Sequence, residues 1–125
     1  MTTTFTITVA NPGSGNKYYV NSNLQAILNL VEGATYKFDQ SDNSNSGHPL
    51  RLSTTSDGSH NSGSAYTTGV TTAGTPGSSG AYTQIQVAVG APTLYYYCTN
   101  HSGMGGTATT DVAISGWNRG TWNQG

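Results

Sequence analysis

Charge is what this sequence has least of. Only 7% of its 125 residues are Asp, Glu, Lys or Arg, and the formal net charge is −1. There is no basic footprint for nucleic acid and no polybasic patch for anionic lipid, so neither is expected as a partner. The acidic residues stand scattered at 32, 39, 42, 57 and 111 and form no pair for acid–base catalysis. Long apolar runs are missing too. No segment approaches membrane-spanning length, and the opening MTTTFTITVANPG lacks the basic and apolar regions of an export signal. The expectation is a soluble, unexported chain without membrane insertion. A single cysteine excludes an internal disulfide, so bridge usage says nothing about the redox compartment and the thiol needs another explanation.

What is present is Thr, Ser, Asn and Gly, residues that suit turns and the outward faces of strands, together with 8 tyrosines and alternating apolar runs that give the chain something to bury. Phe5, Ile7 and Val9 alternate with threonines in an opening strand, and NPGSGN turns it back. KYYVN predicts a second strand. LQAILNLV fits either a strand or a short helix, with strand favoured because Glu32-Gly33 reads as a turn into TYKFDQ. SDNSNSG leads by turn-formers into HPLRLS, which puts His48 at a loop-to-strand junction. From Ser53 to Gly80 the pattern weakens into a long excursion with one weak strand near TTGVTTAG. YTQIQVAVG then places Ile85, Val87 and Val89 on one face, LYYYC places Leu94, Tyr96 and Cys98 on one face, and TATTDVAIS closes the fold. The prediction is an all-β, Greek-key, two-sheet β-sandwich of about seven or eight strands. It would span residues 1–115, with a Gly/Trp/Asn-rich tail at 116–125. That tail, GWNRGTWNQG, repeats W-N-x-G and reads either as a terminal extension or as a contact segment.

The stretch YYYCTNHSGM holds the only cysteine, one of 3 histidines and one of 2 methionines, at positions 98, 101 and 104. Extended, these three would spread over roughly 20 Å. Gly103, Gly105 and Gly106 allow the chain to fold back and gather them in one short loop. Thiolate, imidazole and thioether together are softer than the donors preferred by calcium or magnesium, and zinc has little use for Met. Adding the imidazole of His48 gives two His, one Cys and a weak axial Met, the donor set of blue-copper electron-transfer sites.

These residues carry a resemblance to the cupredoxins, the small type 1 copper proteins that include plastocyanin, azurin and amicyanin. An upstream His before a strand, then Y-x-Y-x-C-x-x-H and a following Met, stands here as His48 and YYYCTNHSGM, with the short ligand-loop spacing of amicyanin. The resemblance implies one copper ion held by His48, Cys98 and His101 in a trigonal plane with Met104 axial. It further implies outer-sphere electron transfer with a redox partner protein, no substrate transformed, and a periplasmic or extracellular setting. Two positions depart from the family pattern. Pro49 follows His48 and has no amide hydrogen to donate toward the sulfur, while Asn100 stands where several relatives have Pro and restores an amide before His101.

A second resemblance, of HPLRLSTTSDG, YTTGVTT and the tail to structural proteins of marine tailed phages, implies an alternative: a virion or surface structural module, with virion components as partners and copper incidental or absent. A Cys-His nucleophile is disfavoured, because Cys98 ends a strand with nothing basic near it. His60, in SDGSHNSG, reads as exposed and uninvolved.

Overall fold

In the computed structural model, residues 2–113 are described. Ten strands follow one another: β1 (Thr2–Ala10), β2 (Lys17–Val20), β3 (Asn23–Leu24), β4 (Leu28–Val31), β5 (Thr35–Asp39), β6 (Leu50–Ser53), β7 (Val70–Ala73), β8 (Tyr82–Gln86), β9 (Leu94–Cys98) and β10 (Gly106–Asp111). Two single turns of 3₁₀ helix, η1 (Asn43–Asn45) and η2 (Gly58–Asn61), interrupt the loops on either side of β6. The strands form a six-stranded sheet in the order β3-β2-β1-β5-β8-β7 and a four-stranded sheet in the order β4-β10-β9-β6. Both sheets are mixed: β1 runs parallel to β5 and β10 parallel to β4.

The two inner faces enclose a core that includes Ile7, Tyr18, Leu30, Phe38, Leu50, Leu52, Ile85, Leu94 and Tyr96, with Cys98 and Met104 at one end of the same cluster. Period-2 alternation puts them there, since each strand turns every second side chain inward. Burial of these side chains supplies the main drive for folding. Tyr96 reaches through the core and donates its hydroxyl hydrogen to Ala26 O at 2.6 Å, so its polar end is satisfied while its ring packs.

The sandwich and most strand positions match the expectation, with two corrections. The count is ten, because LQAILNLV is divided between the short β3, which ends at Leu24, and β4, and the weak strand near TTGVTTAG is formed as β7. Val89 is 80% exposed, since β8 ends at Gln86 before the alternation carries that far. Tyr97, on the face of β9 opposite Tyr96 and Cys98, is nevertheless only 2% exposed because η2 lies over it. The end of TATTDVAIS and the tail at 116–125 lie outside the described residues.

Candidate metal centre

Strand register brings the predicted residues together. β6 and β9 are antiparallel with Leu50 opposite Cys98, and the pairing runs one step further, Thr99 N–H donating to Pro49 O at 3.1 Å. The loop before β6 therefore lies beside the loop after β9, and His48 meets Cys98 across it. Pro49 fits here because its missing N–H falls at the strand end. His48 Nδ1 stands 3.8 Å from Cys98 Sγ, and His101 Nδ1 stands 3.6 Å from the same sulfur. The two imidazole rings are 4.7 Å apart between centroids and tilted by 46°. One ligand atom from each of the three residues falls within 4.8 Å of the others. Cys98 is fully buried, His48 is 9% exposed and His101 is exposed. Met104 is fully buried in the cluster that contains Cys98.

Burial, and then the charge of His101, hold His48 below the usual imidazole pKa. It is thus neutral near pH 7 and keeps a lone pair for coordination. Tyr18, buried beside Cys98, has its phenol pushed well above its ordinary pKa, first by desolvation and then by the cysteine's charge. It remains a neutral donor.

The backbone of His48 is held by buried polar residues that sequence reading did not single out. Gln40, 1% exposed, donates through Nε2 to His48 O at 2.7 Å and to Asn45 Oδ1 at 3.0 Å, while its Oε1 accepts from Leu50 N–H at 2.9 Å. Tyr18 Oη also donates to His48 O, at 2.6 Å. His48 N–H donates to Asn45 O at 2.8 Å, and Asn45 Nδ2 to Ile7 O at 2.8 Å. One clue to Gln40 was available, because it continues the inward face of Tyr36 and Phe38 and a polar residue there needs buried partners. Nothing comparable marks Asn45.

The loop after β9 is secured from three directions. Lys17 Nζ and Gln25 Nε2 donate to Gly103 O at 2.9 and 3.1 Å, and Gln25 also donates to Gly105 O at 2.8 Å. Asp57 Oδ1 accepts from Gly103 N–H at 3.0 Å, and Tyr18 N–H donates to Met104 O at 2.9 Å. The side chain of Asn100 donates through Nδ2 to Gly47 O at 3.0 Å and ties the loop after β9 to the loop before β6. Gly103 takes φ +75°, and Gly105 lies so close to the backbone of Tyr96 that any side chain would collide with it. His60 is exposed as expected and stands outside the donor cluster, but its Nε2 lies 2.7 Å from Cys98 O, a contact the sequence did not announce.

Among solved structures, a reduced rusticyanin aligns over 88% of this chain and 79% of its own, at 19% identity and a TM-score of 0.51. A structure described as the copper protein rusticyanin covers the same share of this chain and 78% of its own, at 16% identity and a TM-score of 0.52. Rusticyanin from Thiobacillus ferrooxidans aligns at 16% identity and a TM-score of 0.51, over 88% of this chain and 77% of its own. This chain has the cupredoxin fold. At such identity the likeness concerns the fold alone. No family model and no curated protein matches the sequence. Within the cupredoxin fold, His48, Cys98 and His101 gather at one end of the sandwich, one from the loop before β6 and two from the end of β9 and the loop after it. Two neutral-capable imidazoles and a thiol around one point suit a single soft or borderline metal ion.

Proposed function

We propose that this chain binds one copper ion through His48, Cys98, His101 and Met104 and serves as a one-electron carrier. The observation that carries the reading is the pair of imidazole Nδ1 atoms facing one buried sulfur at 3.8 and 3.6 Å. Zinc would accept the three clustered donors, but a buried thioether at the same end of the core favours copper. Bound there, copper would supply a Cu(I)/Cu(II) couple. The chain's own part is to fix the donors before the metal arrives. Gln40, Tyr18 and Asn45 hold His48, and Lys17, Gln25 and Asp57 hold the loop that carries His101 and Met104. A site held this way rearranges little when an electron arrives or leaves, which suits outer-sphere exchange with a redox partner protein. His101, exposed on the loop, offers that partner an edge. No comparison supports the virion reading.

The test is to add Cu(II) to the purified, metal-free protein. An intense blue band from thiolate-to-copper charge transfer is expected, lost in Cys98→Ser. A colourless protein, or a band that survives Cys98→Ser, would refute the proposal.

A further inference from the structure

The excursion between β6 and β7, the least patterned part of the sequence, folds back onto the strand that carries the thiol. At Gly58, which takes φ +51°, a Cβ would fall 2.5 Å from Tyr97 Cε1, so only glycine lets η2 settle on that ring. Two residues on, the imidazole of His60 meets the Tyr97 ring edge-on, with 6.3 Å between centroids and 82° between planes. Its Nε2 lies 2.7 Å from Cys98 O. A carbonyl oxygen only accepts, so Nε2 carries the hydrogen and donates it; in the neutral form of the ring that is the Nε2–H tautomer, with the lone pair on Nδ1. His60 is exposed. A continuous path therefore runs from Cys98 Sγ through Cβ, Cα and the carbonyl carbon to its oxygen, across one short hydrogen bond, and into an imidazole at the surface. Electronic coupling falls off less steeply through covalent and hydrogen bonds than across a van der Waals gap.

Resting on the copper reading above, we propose that His60 is a second electron port, separate from His101, through which a one-electron carrier exchanges with the site by way of Cys98. One electron passes out to an oxidised carrier, or in from a reduced one; the copper changes by one unit of charge, no bond forms or breaks, and no proton moves. The exposed face of η2, Ser59-His60-Asn61, carries no Asp, Glu, Lys or Arg, and the single carboxylate just before it, Asp57, accepts from Gly103 N–H. The carrier that fits is one whose redox centre reaches its own edge within a rim of little charge, so that contact does not depend on opposite charges.

The experiment attaches a ruthenium polypyridyl photo-oxidant to the His60 imidazole of the copper-loaded protein and isolates the species labelled only there. The reference places the same label on the neighbouring exposed position, as Ser59→His in a His60→Gln background. Flash-induced oxidation of the reduced site is expected to be about an order of magnitude faster from His60. Equal or slower transfer, with the blue band intact in both proteins, overturns the second port and leaves the copper reading standing. Loss of the blue band from the unlabelled wild type overturns both. Nitrogen NMR of the metal-free protein reads the path without any electron transfer: an Nε2–H tautomer with scalar coupling to the Cys98 carbonyl is expected, and an Nδ1–H tautomer overturns the port.

Discussion

Gln40 shows how much of the geometry at the candidate site rests on a residue outside the donor cluster. Its amide fills three roles, donating to His48 O and Asn45 Oδ1 and accepting from Leu50 N–H, all within the core. Gln40→Leu keeps the volume and strands the Asn45 and Leu50 groups without partners. Each orphaned buried group costs about 1–3 kcal/mol, so urea unfolding of the metal-free variant should show a loss of at least that size. An unchanged midpoint would mean that water replaces the amide. The approach of Cys98 and His101 was legible in the sequence because rare residue types at spacing three have few structural reasons to coincide. The His60 contact was not legible, since it is a hydrogen bond to a main-chain oxygen, which leaves no mark on residue type.

At the scale of elements, the two 3₁₀ turns matter more than their length suggests. In η1, the carboxylate of Asp42 accepts from the N–H and hydroxyl of Ser44, which holds it below the usual carboxylate pKa. A depressed folded-state pKa gives stability that is present above the ordinary value, near pH 3.9, and lost as pH falls through the folded-state value. Asp42→Asn keeps an accepting oxygen without the titration. Below about pH 4, its acid unfolding curve should therefore be shallower than that of wild type, measured by circular dichroism. In η2, Gly58→Ala meets both the Tyr97 ring and a positive φ. A left-handed non-glycine residue costs about 1–3 kcal/mol, and relief by lifting η2 would also break the His60 to Cys98 contact. Thermal unfolding should fall accordingly, and the tautomer signal of His60 should change with it. Strand positions were readable from alternation, whereas the turns were not, because Ser, Gly and Asn permit many loop shapes and specify none.

Across the whole molecule, the candidate metal site lies at one end of a core built from side chains of both sheets. Both sheets pack through aliphatic and aromatic side chains from every long strand, with Cys98 and Met104 only at one end. The metal-free protein should therefore unfold in one cooperative transition at neutral pH and give a dispersed amide NMR spectrum. Copper in 100-fold excess over its Kd should add about 2.7 kcal/mol by binding only the folded state. A collapsed spectrum without copper would show instead that the ion is needed for folding.

The sequence by itself determined the layering of the sandwich, through period-2 alternation that admits one inward face per strand, and it named the soft donors, because their chemistry belongs to residue types. Tertiary structure decided their mutual geometry. The Leu50 to Cys98 register brings His48 to the sulfur from 50 positions upstream, and the folded-back excursion brings His60 to the carbonyl behind it. Contacts of that kind depend on where strands pair and how loops close, which is set by the packing of the entire chain.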